Sequence, residues 1–388
     1  MRVTLVTETF APQVNGVSRT LGQLVHYLES VGDSVQVVHP HYGPAAAGPD
    51  RFQVPSVPFP LYPEVRVPLP PFGPVIRAID AFGPDLIHVA TEATLGWTVV
   101  RHALKRRVPL VSSFHTNFDQ YCDHYHLGWA KGAAWRYLRW FHNRTSETYV
   151  PSQVTIDDLA ARGFERLVLW PRGVDGHLFR PDRTRRGTLR RELGFGPDDI
   201  VVGHVSRLAA EKNAAYLADA LRLVAEACPR VKFLVVGDGP ERASFEAKMG
   251  PSARFVGYRS RDDLADHYAS MDLFAFASVT ETFGNVVLEA LASGLPVVAL
   301  KAGGVGEIVE DDVTGRLVTP DQPPGVLAEA LIALVNQTNR RRSMAGAARE
   351  YATEQTWESI MSRLRGHYLD VLDPVDGQLE LAGAALTT

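Results

Sequence analysis

The sequence predicts an α/β protein built from two doubly wound parallel sheets. Three observations lead there. Within the first forty residues a short apolar run, a polar loop and a helix-periodic segment succeed one another before a second apolar run begins. The same alternation restarts near residue 200, after a change of texture. A chain of 388 residues suits two domains of roughly 100–200 residues each.

The elements follow in order. Val3–Thr7 reads as a strand, Glu8 to Gly16 as a loop, and Val17, Leu21, Leu24, Val25 and Leu28 as one face of a helix. Ser34–His39 is the next strand, and Asp85–Ala90, Val108–Ser113 and Leu167–Trp170 continue the sheet. Pro55–Pro74, rich in proline, reads as a long functional loop. Pro181–Gly194, polar and Arg-rich, is the linker candidate. Beyond it strands at Ile200–Ser206, Val231–Gly237, Arg254–Gly257, Leu273–Ala277 and Pro296–Leu300 alternate with helices at Ala214–Ala227, Glu241–Lys248, Arg261–Ala269 and Asn285–Ser293. The expected organisation is a first domain over 1–180, a linker over 181–194 and a second domain over 195–355. A terminal helix over 356–372 is expected to return to the N-terminal domain, followed by a frayed tail over 373–388. Two such sheets joined end to end are expected to face each other across a cleft, with ligands at the carboxyl ends of the strands.

Composition excludes several classes. A net charge of −4 gives no whole-molecule attraction to nucleic acid. Cys122 and Cys228 are too few for a disulfide framework or a zinc site. Met1–Val6 leads straight into a strand pattern without signal-peptide architecture, and no run of about 18 uncharged apolar residues occurs. The expectation is a cytoplasmic protein, soluble or peripheral on the inner face of the membrane. No strand is followed by Gly-x-Gly-x-x-Gly or Gly-x-x-x-x-Gly-Lys-Ser/Thr, so ordinary dinucleotide and P-loop sites are excluded.

Three strand-to-helix loops carry chemistry. Thr280-Glu281-Thr282-Phe283-Gly284-Asn285 opens the helix containing Glu289. Unpaired amides at a helix start suit phosphate oxygens, Gly284 permits close approach, and two carboxylates can accept from sugar hydroxyls. Arg207 and Lys212 lie at the mouth of the loop after Ile200–Ser206, a fork and a point charge fit to clamp a diphosphate. Asn15-Gly16 ends the corresponding loop of the first half. Plainer readings stand beside these: the glutamates favour the helix dipole, the cations are solvated, and His115 at a strand end is structural.

Taken together, Ser278–Glu289 running on through Ala290-Leu291-Ala292-Ser293-Gly294-Leu295-Pro296, Arg207…Glu211-Lys212-Asn213, and Gly173-Val174-Asp175…Phe179-x-Pro181 resemble the retaining glycosyltransferases of family 4, which have the GT-B fold of two facing Rossmann-like domains. The resemblance spans nearly the whole chain, from Thr7–Gly16 to a helix containing Trp357. Within the family, Thr7-Glu8-Thr9-Phe10-Ala11-Pro12-Gln13-Val14-Asn15-Gly16-Val17 is most similar to bacterial GDP-mannose-dependent α-mannosyltransferases and sulfoquinovosyl-diacylglycerol synthases. The resemblance implies that Glu289 holds the ribose and Glu281 a sugar hydroxyl. Arg207 and Lys212 would neutralise the diphosphate, helped by the backbone near Gly16 and by Phe283, Gly284 and Asn285. His115 would face the sugar, with Asp119 and Tyr121 toward the acceptor. The common family form has two glycines where this chain has Asn15-Gly16, and Asn is expected to tolerate the unusual backbone angles. The implied reaction transfers a hexose, mannose first, from a nucleoside diphosphate to a hydroxyl with retention. No protein nucleophile is assigned, and the leaving phosphate takes the proton. No cofactor or metal is expected; Asp198-Asp199 and Asp311-Asp312 read as a turn and a connection. Alternatives are a UDP-sugar-dependent transferase and, in another class, a nucleotide-sugar 2-epimerase.

Residues 101–144 hold eight Lys/Arg against Asp119 and Asp123, a local charge of +6. A helical projection from Trp129 to Arg144 puts Trp129, Ala133, Tyr137, Leu138, Trp140 and Phe141 on one half and Lys131, Arg136, Arg139 and His142, with Trp135, on the other. Such a helix suits an anionic membrane surface, with Lys131, Arg136 and Arg139 as contacts, or packs on the first sheet with a solvated basic back. A lipid or lipid-linked acceptor is the leading expectation, a soluble glycan the next.

Overall fold

A computed structural model describes residues 1–13, 15–42, 50–59, 62–115 and 131–373. The chain divides into two compact units, Met1–Pro171 with the segment from Glu358 onward, and Arg172–Trp357.

The first unit contains β1 (Arg2–Val6), β2 (Ser34–Pro40), β3 (Arg51–Val54), β4 (Ser56–Phe59), β5 (Tyr62–Pro68), β6 (Leu86–Val89), β7 (Leu110–Ser113), β8 (Thr148–Val150) and β9 (Leu167–Leu169). Seven of these form a sheet in the order β3-β2-β1-β6-β7-β8-β9, every pairing parallel. Parallel strands covered on both faces read as continuous apolar runs, and Val3, Leu5 and Val6 of β1 are all buried. The helix Gly16–Ser30 turns Leu21, Leu24, Val25 and Leu28 inward, as its period requires.

The stretch expected as a loop, Pro55–Pro74, holds instead the antiparallel ribbon β4–β5, with Val57 opposite Val67 and Pro58 opposite Arg66. A two-stranded ribbon has only edges, so prolines that would interrupt a central strand are tolerated there.

The second unit contains β10 (Ile200–Val205), β11 (Val231–Val236), β12 (Ala253–Phe255), β13 (Leu273–Phe276), β14 (Val297–Leu300) and β15 (Gly315–Val318), ordered β12-β11-β10-β13-β14-β15 and wholly parallel. Alternation along β13 divides its core. Leu273 and Ala275 meet Leu217, Leu221 and Val224 of the helix Ala214–Ala227, while Phe274 and Phe276 belong with Leu288 and Leu291 of the helix Asn285–Ala292.

The segment 181–194, expected as a linker, is part of this unit, and the division falls at Pro171/Arg172 rather than at residue 180. Its arginines are anchored by carboxylates: Arg183 on Asp266, and Arg186 and Arg190 on the two oxygens of Asp272 at 2.7 and 3.0 Å. Arg190 is almost wholly buried, which composition alone cannot distinguish from a solvated run. The helix Trp357–Leu372 packs in the first unit, where Arg365 Nε donates to Asp33 Oδ2 at 2.7 Å.

In both sheets the strand order reverses beside the first strand, between β1 and β6 and between β10 and β13. The carboxyl ends at such a reversal are where open α/β sheets take ligands. No helix among the described residues is long and apolar enough to cross a membrane.

Candidate active site

In the second unit the loops after β10 and β13 flank the reversal. After β10 the chain passes Ser206–Ala209 into a short 3-10 turn, Ala210–Lys212, closed by Asn213 in the left-handed region at φ 57°. The loop is stitched to its neighbour: Leu208 N donates to Asp238 O and Glu241 N to Leu208 O, both at 2.9 Å. A Cβ at Gly237 would lie 1.9 Å from Ser206 O, so only glycine permits this approach.

That fixed loop presents Lys212, whose Nζ lies 2.5 Å from Glu281 Oε1 on the loop after β13. Thr280 Oγ1 donates to the Glu211 carbonyl at 2.8 Å, a second tie between the loops. Arg207 is exposed and pairs with the Glu211 carboxylate one turn on. The Glu281 carbonyl accepts from Gly304 N at 3.0 Å, and a Cβ on Gly303 would sit 2.1 Å from that same oxygen.

The helix Asn285–Ala292 begins without a side-chain cap, from Gly284 at φ 105°. The amides of Phe283, Gly284 and Asn285 donate to nothing among the described residues, and Asn285 Oδ1 is buried without a partner. An ammonium group and a fan of free amides at a helix start make an anion-binding edge. Glu289 is 4% exposed, with Oε2 3.3 Å from the Tyr268 hydroxyl, which also reaches Val286 O at 3.0 Å. The second unit thus brings together Lys212, Glu281, Phe283, Gly284 and Asn285, with Arg207 on the first of the two loops.

In the first unit Asn15 needs no unusual backbone angle, contrary to expectation. Its backbone is extended (φ −147°, ψ 168°) and its Oδ1 accepts from Ser18 N at 2.8 Å, capping the helix that Gly16 begins. Its Nδ2 donates to Thr9 Oγ1 at 2.8 Å, folding the loop after β1 back on itself. Glu8 caps the helix Thr94–Arg106 by accepting from Leu95 N at 3.1 Å. Burial pushes its carboxyl up to about 7, against the opposing Leu95 amide and with help from the Glu92 charge. His115 lies just past β7, Nε2 2.8 Å from Ser113 Oγ, its ring edge-on to Trp170. Asp119, Tyr121 and Trp129 lie outside the described residues.

The helix Lys131–His142 corrects the projected faces. His142 is buried, Nδ1 2.9 Å from Ser112 Oγ and Nε2 3.2 Å from Glu92 Oε1, so its polarity is satisfied inside. Tyr137 and Trp140 stack and pack against the sheet core, while Trp135 meets Phe164 and lies under Arg162. Arg136 and Arg139 are exposed, and Arg139 reaches Arg162 O at 3.3 Å.

Sequence reasoning missed Tyr268, the partner of Glu289, and the Gly303-Gly304 pair that fits under the 281–284 loop. The doubled glycine was the available signal. Nothing marked Tyr268, because contact between helices is set by packing. Among the described residues no group of three or more His, Cys, Asp or Glu gathers as a metal site.

Comparison with known proteins completes the picture. The pattern described as "Glycosyltransferase Family 4" matches residues 14–177, and "Glycosyl transferases group 1" matches 199–337. A GDP-mannose-dependent alpha-mannosyltransferase of Mycobacterium tuberculosis is 36% identical over 376 residues, covering 95% of this chain and 96% of that one. The sulfoquinovosyl transferase SQD2 of Arabidopsis thaliana is 33% identical, over 91% of this chain and 70% of that one. Among solved structures, Anabaena HepE in complex with UDP-glucose superposes with a TM-score of 0.75 at 23% identity, covering 95% of this chain and all of that one, a likeness of fold.

Proposed function

The chain belongs to glycosyltransferase family 4, an enzyme family of GT-B fold, and from that premise we propose that it moves mannose from GDP-mannose to a hydroxyl of a lipid or lipid-linked acceptor, forming an α-glycosidic bond. The observation that carries this reading is the Lys212–Glu281 contact beside the unpartnered amides of Phe283–Asn285. It offers positive groups for a diphosphate and a carboxylate for a sugar hydroxyl within one pair of loops.

In the reaction the acceptor oxygen bonds to the anomeric carbon as the bond from that carbon to the diphosphate oxygen breaks. The acceptor proton passes to the leaving phosphate. Negative charge grows on the diphosphate, so groups already aimed at it lower the barrier without reorganising. Lys212, Arg207 and the helix-start amides take that role. Glu281 orients the sugar and Glu289 the ribose. These cations substitute for a metal ion, so donor use is metal-independent. Relatives named for GDP-mannose and for glycolipid synthesis support the donor and the acceptor class. The exposed Arg136 and Arg139, with the half-buried Lys131, would meet an anionic membrane surface, at which the protein is peripheral and cytoplasmic.

Thermal shift with GDP and, separately, UDP, each with and without EDTA, tests the reading. A nucleotide at about 100 times its dissociation constant adds roughly 2.7 kcal/mol. The expected result is a shift with GDP, unchanged by EDTA, and an α-mannosylated lipid product. A shift with UDP alone favours the UDP-sugar transferases. An epimerised nucleotide sugar formed without acceptor favours the epimerase.

A further inference from the structure

Behind His115 the first unit buries a line of polar groups that the transfer reaction does not account for. His88, on β6, is fully buried, with Tyr149, Trp170 and Tyr368 around its ring. Its Nδ1 lies 2.6 Å from the Tyr368 hydroxyl and its Nε2 2.8 Å from Ser113 Oγ. The same Ser113 Oγ lies 2.8 Å from His115 Nε2. Four side chains, from the helix Trp357–Leu372, from β6, from the end of β7 and from just beyond it, are joined by three hydrogen bonds.

The protons along this line have a determined order. Ser113 has one hydroxyl proton and stands between two ring nitrogens, so when satisfied it donates to one and accepts from the other. Burial keeps His88 neutral, pushing its imidazole down to about 3, so it too donates once and accepts once. The far end sets the direction. Among the described residues the Tyr368 hydroxyl meets no acceptor except His88 Nδ1, and a buried phenolic proton without an acceptor is costly. Tyr368 therefore donates to His88 Nδ1, His88 Nε2–H donates to Ser113, and Ser113 donates to His115 Nε2.

We propose that Tyr368, His88 and Ser113 are positioning residues that hold His115 in its Nδ1–H tautomer. The hydrogen bond at one ring nitrogen decides the state of the other. With Nε2 committed as an acceptor, the nitrogen left to His115 is a donor, so the residue serves the sugar by N–H donation and not as a general base. A proton on Nε2 would invert all three hydrogen bonds and leave the Tyr368 proton without an acceptor. This inference rests on the reading of His115 as the residue that faces the donor sugar.

The test is long-range proton–nitrogen correlation NMR on the full chain labelled with 15N-histidine, with His88 and His115 assigned from His88→Gln and His115→Gln. The expected spectrum shows His115 protonated at Nδ1 and His88 at Nε2, and in Tyr368→Phe both become mixed. His115 protonated at Nε2 in the native chain overturns the relay, as does a Tyr368→Phe spectrum unchanged from native. In turnover of GDP-mannose, Ser113→Ala and Tyr368→Phe are expected to lower kcat at least about tenfold, in the range of other orienting partners. The thermal midpoint should fall with the loss of a buried hydrogen bond, GDP affinity should stay near native, and Ser113→Thr, which keeps the hydroxyl, should recover the rate. Native kcat in Tyr368→Phe overturns the positioning role. Native kcat in His115→Gln overturns the sugar-facing reading instead, so the two failures are told apart.

Discussion

The Lys212 ammonium lies 2.5 Å from the Glu281 carboxylate, although β10 and β13, whose loops carry them, are separated in chain order by the two strands β11 and β12 and the helices between them. Both side chains are only about a fifth to a quarter exposed. Each carries a charge that the donor would engage, the cation with phosphate and the anion with a sugar hydroxyl. The pair compensates both charges in the structure.

On the proposed reading, Lys212→Ala removes a positive group from the leaving diphosphate. By analogy with loss of one oxyanion donor, kcat is expected to fall about 10²–10³-fold. Steady-state kinetics on the variant checks this, with the circular dichroism spectrum unchanged. A rise in KM with native kcat would place Lys212 in ground-state binding alone.

Gly304→Ala inserts a Cβ 2.6 Å from Phe283 Cα and 2.7 Å from the carbonyl oxygens of Phe283 and Thr282. Backbone must move to accept it, so the amides of Phe283–Asn285 are displaced. Stability is expected to drop by about 1–3 kcal/mol. Calorimetric titration with GDP should show affinity weakened at least about tenfold, the equivalent of 1.4 kcal/mol.

Asn15→Ala deletes the side chain that accepts from Ser18 N, leaving the first turn of Gly16–Ser30 short of a partner. A loss of about 1 kcal/mol in urea unfolding is expected, and Asn15→Ser should restore most of it. Because Asn15 adopts ordinary extended angles, Asn15→Gly should cost only a few tenths of a kcal/mol.

Glu8 titrates near 7 in the folded chain and at its ordinary 4.5 when unfolded. Below both values the two states are equally protonated and the group adds no pH dependence. Between about 4.5 and 7 the unfolded chain gives up its proton first, so stability falls as pH rises, reaching a cost of about 3 kcal/mol above that window. Glu8→Gln keeps an acceptor for Leu95 N and cannot ionise. It is expected to flatten the pH profile and to exceed the native chain in stability at about pH 8. Urea unfolding across the window measures both.

Reversing charge at Lys131, Arg136 and Arg139 with Glu is expected to abolish sedimentation with anionic liposomes while GDP binding persists. Since Trp135 and Trp140 pack inward, surface attraction here is electrostatic and should weaken steeply with salt. Unchanged sedimentation would remove the membrane role of this helix.

Ten strands of the two sheets were legible because parallel strands buried on two faces leave continuous apolar runs, and several helices because half-burial leaves a 3.6-residue period, whereas the short strands β3, β8 and β15 were not read from the sequence. The Lys212 and Glu281 loops were legible as strand-to-helix connections, and the structure brings them into contact. Pro55–Pro74 and 181–194 were misread for one reason. Proline content and charge describe a residue's own preference, whereas a ribbon partner or an Asp272 carboxylate eighty residues away comes only with the folded chain.

The sequence by itself determined the fold class and the family, and it pointed to the strand-to-helix loops as candidates for the chemistry. Local periodicity and contiguous motifs carry that information in the order of the residues. Only the tertiary structure decided that Tyr268 meets Glu289, that His142 lies inside, and that Tyr368 joins His88 across 280 positions. Such contacts are chosen by packing and by the need to pair every buried polar group. Neither requirement leaves a mark on the neighbours of a residue in the chain.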